Sequence, residues 1–123
     1  MVRKLCLDSD VLIALIRGEP RADVLDTLDA EFCVSAVNVF EVWLGRKSQE
    51  KISELLATFI TLDLTRKCAQ IAADIRRELQ NKGEDLDLRD IFIAAICIGH
   101  DVPLLTFNTK HFSRLQKFGL QLA

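Results

Sequence analysis

A chain of 123 residues, 50% hydrophobic and 28% charged, carries enough apolar side chain for one core and too little length for two, so a single domain over residues 1–123 is expected and a disordered chain is excluded. Lys and Arg number 16 against 18 Asp and Glu, a net charge of −2, which rules out the strongly basic surface of a protein that grips long DNA through many phosphates. It leaves room for a basic rim around an acidic pocket.

In chain order, Lys4 to Leu7 is a short apolar-rich run ending in an acid, and Val11 to Ile16 continues hydrophobic until Gly18-Glu19-Pro20 breaks the pattern. That predicts strand, turn and helix. Glu31 to Ser35 reads as a second strand, and Ala36 to Gly45 follows with Val39, Val42 and Trp43 at the spacing of a helix face. Ile52, Leu55, Leu56 and Phe59 repeat that spacing. Ile60 to Leu64 predicts a strand, and Thr65 opens a long helix whose face is Cys68, Ile71, Ala72, Ile75 and Leu79. Gly83 ends it, Glu84 to Leu88 reads as an acidic loop, and Asp90 to Gly99 is a nearly all-apolar, buried helix. Val102 to Thr106 predicts another buried strand, with Leu120 to Leu122 a short candidate edge strand. Strands alternating with helices imply an α/β fold, a three-layer sandwich around a parallel sheet of about four to five strands.

The longest apolar run, Ile91 to Ile98, is far below the ~18 residues that suggest a membrane span. Asp8 and Asp10 interrupt any signal-peptide reading of Arg3 and Lys4, so a cytoplasmic location is expected. Cys6, Cys33, Cys68 and Cys97 form no C-x-x-C pair and read as reduced core residues. A mean hydropathy of +0.18 predicts apolar surface left over for a subunit interface.

In open parallel sheets the ligand site lies beyond the carboxyl ends of the strands. That rule selects Asp8, Ser9 and Asp10 after the first strand, Ser35 at the end of the second, and Thr106 and Asn108 after the last. Glu41 and Asp90, acids in very apolar helices, are placed to point back to the same edge. Each acid has a structural alternative. Asp8 or Asp10 suits the N-cap of the following helix, and the spacings Asp87 to Asp90 and Asn38 to Glu41 resemble capping boxes. Burying lone carboxylates costs several kcal/mol unless a positive charge pairs with them. Mg²⁺ or Mn²⁺, which prefer hard oxygen ligands, would supply that charge, activate water and stabilise a leaving oxygen in phosphodiester hydrolysis.

The stretches Leu7-Asp8-Ser9-Asp10-Val11-Leu12-Ile13, Ser35 to Glu41 to Gly45, Asp90-x-x-Ile93-Ala94-Ala95 and Leu105-Thr106-x-Asn108-x-x-x-Phe112 resemble, in order, the motifs of PIN-domain ribonucleases, and the length is similar to that of VapC-type toxins of toxin–antitoxin pairs. The resemblance implies that Asp8, Glu41 and Asp90 are metal ligands of an endoribonuclease. Asn108 then stands at the fourth catalytic position, where the family often has Asp and sometimes Asn, with Asp10 or Asp87 available to compensate for the missing charge. Ser9, Asp10, Ser35 and Thr106 are expected to orient those ligands or contact RNA phosphates. Asn38 occupies a position where many members carry a hydroxyl.

The resemblance also implies a homodimer and a small VapB-type antitoxin whose disordered tail folds onto the apolar surface near Phe40, Trp43 and Leu44 and places a basic side chain in the acidic site. Arg17, Arg89 and Lys110 are candidate phosphate contacts. His111 reads as a surface or capping residue, and His100 as a partner of helix-terminal carbonyls. Three other readings are weighed: a haloacid-dehalogenase-like phosphatase from Asp8-Ser9-Asp10, a receiver-like module, and a PIN-like binding module of weak activity through Asn108.

Overall fold

The computed structural model describes residues 3–45 and 48–123. Strand β1 spans Arg3–Leu7, helix α1 Ser9–Arg17, β2 Ala30–Ser35, α2 Ala36–Leu44, α3 Gln49–Leu56 and β3 Ile60–Leu62. Then come α4 over Arg66–Asn81, α5 over Leu88–His100, β4 over Leu104–Leu105 and the single turn α6 over Thr109–Phe112. All pairings are parallel and the sheet order is β3-β2-β1-β4. Leu120–Leu122, read as an edge strand, contributes one isolated bridge from Leu122 to Leu104.

Alternation along the strands sorts their side chains into two cores. Cys6, Cys33 and Leu104 face Cys68, Ala72, Ile75 and Leu79 of α4 and the apolar side of α5. Leu7, Val34 and Leu105 face Val11 and Leu12 of α1, Val42 of α2 and Ile52 of α3. Helices thus cover both faces, as a parallel sheet requires. All four cysteines are free and buried. Among the described residues no helix is long and apolar enough to cross a membrane.

The boundaries depart from the sequence reading for identifiable reasons. Strand β3 stops at Leu62 because the Asp63 carbonyl turns to accept from His100 Nε2 at 2.9 Å. His100 does meet a carbonyl, on the chain entering α4 rather than at its own helix end. Strand β4 is short because Pro103 lacks a donor and Thr106 turns its hydroxyl into the site. Helix α5 starts two residues earlier than read, since Asp87 accepts from the Arg89 backbone N–H as N-cap. It ends not at Gly99 but at His100, with Asp101 as C-cap in the left-handed conformation at φ 56°. Two 3-10 segments, Pro20–Thr27 and Ser113–Phe118, carry no long apolar period and leave little trace in the sequence.

Candidate active site

The C-terminal ends of β1, β2 and β4 lie side by side, and each delivers a polar residue to one edge. Asp8 is the N-cap of α1 and is only 7% exposed. Its Oδ1 accepts from the Ser9 backbone N–H at 2.9 Å and from Asn38 Nδ2 at 3.2 Å. Its Oδ2 accepts from Thr106 Oγ1 at 2.8 Å. Burial pushes the Asp8 carboxyl from an ordinary 3.8 up to about 6; the Thr106 hydroxyl opposes the rise, and the negative charges of Asp10 and Glu41 add to it. The capping role thus falls on the residue that the sequence reading also expects in the site.

Helix α2 begins with a capping box, although not the one its spacing to Glu41 implied. Ser35 Oγ accepts from the Asn38 backbone N–H, and Asn38 Oδ1 accepts from the Ser35 backbone N–H and from its hydroxyl, the latter at 2.6 Å. With its oxygen so used, the fully buried Asn38 aims its amide at Asp8 and, at 3.0 Å, at Ser9 Oγ. Ser9 then donates to Glu41 Oε1 at 2.7 Å. One hydrogen-bonded chain joins Ser35, Asn38, Ser9 and Glu41, with Asp8 attached. The sequence reading marked Asn38 only as a departure from a hydroxyl pattern; its spacing from Ser35 was the available signal for its bridging role.

Asp90 enters from α5. It does not reciprocate the Asp87 cap; its Oδ2 lies 2.7 Å from His111 Nε2. His111, read as a surface or capping residue, is partly exposed and has a specific acidic partner. Its acidic partner lies 21 positions away, a separation no short-range spacing reveals, though both belong to segments that open at the same sheet edge. Asp87 pairs with Arg89 Nη2 at 3.3 Å and is half exposed, so it is occupied as a cap. Arg89 Nη1 lies 3.8 Å from Glu41 Oε2.

Asp10 turns toward the β4 end, where its Oδ2 accepts from the Phe107 backbone N–H at 3.1 Å and from Thr106 Oγ1 at 3.3 Å. Its Oδ1 is buried without a hydrogen-bond partner. Asn108 is exposed at the N-cap of α6 without a side-chain cap bond, and its backbone N–H donates to Thr106 Oγ1 at 3.0 Å. Of the cationic residues expected at the rim, Arg17 pairs loosely with Glu19 at 3.9 Å and Lys110 is exposed. A groove of about 180 Å³ runs beside Glu41, lined by Ile13, Ile16, Arg17, Val42, Lys51 and Ile52. Phe40 and Leu44 stand exposed on α2.

Among the described residues no three His, Cys, Asp or Glu side chains are grouped tightly enough to wrap an ion. The arrangement instead offers hard carboxylate oxygens at one edge, an orphaned buried oxygen on Asp10, and a buried Asp8 that feels two further negative charges. This donor set fits a cation that retains several waters and takes only a few protein oxygens, as Mg²⁺ and Mn²⁺ do, rather than one held in a closed cage.

The PIN domain family model matches residues 5–117. The chain belongs to the PIN-domain family. Relatives include a protein named ribonuclease VapC2 from Haemophilus influenzae, 27% identical over 122 residues, covering 91% of this chain and 92% of the relative. A ribonuclease VapC1 from Methanocaldococcus jannaschii is 28% identical, covering 97% and 86%. The PIN fold described above superposes on VapBC2 from Rickettsia felis bound to a promoter DNA fragment, with a TM-score of 0.84 at 24% identity, covering 98% of this chain and 97% of that one. For DNA-bound VapBC from Salmonella typhimurium the TM-score is 0.80 at 23% identity, covering 100% and 98%. At these identities the superpositions establish the fold, and this PIN domain carries its acids at the carboxyl edge of that fold's sheet.

Proposed function

We propose that this PIN domain is an endoribonuclease that hydrolyses RNA phosphodiesters using Mg²⁺ or Mn²⁺ held by Asp8, Glu41 and Asp90, and that it is the toxin of a VapBC-type toxin–antitoxin pair acting in the cytoplasm. The observation that carries the reading is the buried Asp8, linked through Asn38 and Ser9 to Glu41 and through Thr106 to the Asp10 side of the same sheet edge; burial and the neighbouring negative charges push its carboxyl up, and a divalent cation would relieve that cost. When bound, the ion polarises a phosphoryl oxygen and lowers the pKa of a water it holds. Ser9, Asn38 and Thr106 fix the carboxylates through the hydrogen bonds that join them. Ser35 acts one step further away by orienting Asn38. Asn108 adds a neutral amide at the lip of the site, and Arg17, Arg89 and Lys110 provide phosphate contacts around it.

The partner reading rests on the groove beside Glu41 and the exposed Phe40 and Leu44, apolar surface suited to a VapB-type antitoxin segment that brings a basic side chain to the acids. A second copy of the chain is proposed as the other partner, in a homodimer. Asn108, in place of a fourth acid, favours one alternative, a PIN-like module that binds RNA or protein with weak catalysis. Cleavage of labelled structured RNAs with Mg²⁺, Mn²⁺ or EDTA, with Asp90→Asn in parallel, separates the two. The nuclease predicts cutting that needs metal and vanishes in Asp90→Asn. Identical traces from both folded proteins would select the binding module.

A further inference from the structure

Asp90 differs from the other acids of the site in being held by an imidazole. His111 Nε2 lies 2.7 Å from Asp90 Oδ2, with the side chains 33% and 21% exposed, a distance for a charge-assisted hydrogen bond. In the tautomer with a proton on Nε2, the imidazole donates and the carboxylate oxygen accepts. Neutral imidazole and imidazolium both provide that donor. The ring is itself fixed. His111 follows Asn108 into α6 through a backbone N–H to Asn108 carbonyl bond of 3.1 Å, and it stands edge-on to Phe112 at 5.5 Å and 89°. Phe112 is 2% exposed and packs in the α4–α5 core. The imidazole is thus anchored to the core on one side and to Asp90 on the other, bridging the segment after β4 to the first turn of α5.

We infer that His111 is a positioning residue of this site, its Nε2–H tying Asp90 Oδ2 so that Oδ1 is the oxygen presented to the cation. The inference rests on the metal-dependent nuclease reading. His111 touches a carboxylate that holds the ion, not the substrate, so its effect appears first in metal affinity. Groups that orient metal ligands in this way change affinity or activity by about 10–100-fold when removed. Lys110 and Arg114 lie beside His111 at the surface, and the bond to Asp90 Oδ2 is made by His111.

The test compares the full chain with His111→Ala, His111→Gln and Asp90→Asn. Mn²⁺ binding is read from the electron paramagnetic resonance of free Mn²⁺, RNA cleavage as a function of Mn²⁺ concentration, and folding from melting in EDTA. His111→Ala should weaken Mn²⁺ binding about 10–100-fold and raise the Mn²⁺ needed for half-maximal cleavage by the same factor, with most of the rate recovered at saturating Mn²⁺. His111→Gln, which restores an N–H donor at similar reach, should recover most of the affinity. Should His111→Ala unfold, His111→Leu keeps the packing on Phe112 and removes the donor. Wild-type Mn²⁺ affinity in the folded donor-less variant overturns the inference, as does equal impairment of His111→Gln. Mn²⁺ binding that depends on His111 and Asp90 while RNA stays uncut would overturn the nuclease reading and leave the positioning role standing. A wild-type chain that binds no Mn²⁺ overturns both.

Discussion

Asp8→Asn provides a test in which stability and activity move in opposite directions. The buried carboxyl titrates near 6 against an ordinary 3.8, so the folded protein binds that proton more tightly than the unfolded chain. Its contribution is favourable below the unfolded value and is lost as pH rises through the folded one. At about 1.4 kcal/mol per pH unit, ionising Asp8 costs the metal-free fold about 3 kcal/mol at pH 8 and about half of that at pH 5. Asparagine removes the charge and keeps the contacts. Its Oδ1 still accepts from the Ser9 and Asn38 N–H groups, and its amide can donate to Thr106 Oγ1, whose hydroxyl hydrogen then turns to Asp10 Oδ2 at 3.3 Å. Urea unfolding in EDTA should therefore find Asp8→Asn more stable than wild type by about 1–3 kcal/mol at pH 8, with a smaller gain at pH 5. Excess Mg²⁺ should stabilise the wild type and not the variant, and the variant should not cleave RNA. A variant less stable than wild type at pH 8 in EDTA, or a gain independent of pH, would refute the argument that burial of this charge is the dominant cost at the site.

Two further substitutions test the frame around the acids. Asn38→Ala leaves the buried Ser35 hydroxyl without its acceptor and Asp8 with one donor fewer, and should cost about 2–4 kcal/mol in urea unfolding; a loss below about 1 kcal/mol would show that the chain of hydrogen bonds adds little. At Gly99 a Cβ would come 2.6 Å from Cys68 Sγ, between α5 and α4. Gly99→Ala should cost about 1–3 kcal/mol, and adding Cys68→Ala should recover part of that loss; no recovery would place the clash elsewhere.

The strands β1 and β2 and the long helix α4 were legible because their apolar patterns are bounded by polar residues that also terminate them. Asp8, Ser35 and Thr65 are caps in the structure, and each had been read as a boundary. The segment after β4 was legible only as far as Thr106. Beyond it, α6 and the 3-10 segment are too short for periodicity, and what places His111 is Phe112 reaching the core, a tertiary fact. The carboxyl-edge rule selects Asp8, Ser9, Asp10, Ser35 and Thr106, which the structure joins with Asn38 and Glu41 by hydrogen bonds. It does not say which hydrogen bonds they exchange, and the three-residue spacing that suggests a capping box for Asp87 and Asp90 misleads, because Asp90 is claimed by His111.

Those hydrogen bonds bear on how a cation is held. A carboxylate offers about four lone-pair positions, and Asp8 commits three, to Ser9, Asn38 and Thr106. It keeps room for one more contact. Glu41 has Oε1 tied to Ser9 and Oε2 facing Arg89, while Asp90 has Oδ2 tied to His111. Asp8 is thus held on both oxygens, from the start of α1, from α2 and from the end of β4, whereas Glu41 is tied from the β1–α1 junction and Asp90 from α6. The donors offset part of the repulsion among these carboxylates and leave the buried charge of Asp8 as the cost that a cation would relieve. With so many of their lone pairs already committed, Asp8, Glu41 and Asp90 would each have few positions left for Mg²⁺ or Mn²⁺, which suits an ion that retains several waters and would supply Lewis-acid chemistry for phosphodiester hydrolysis.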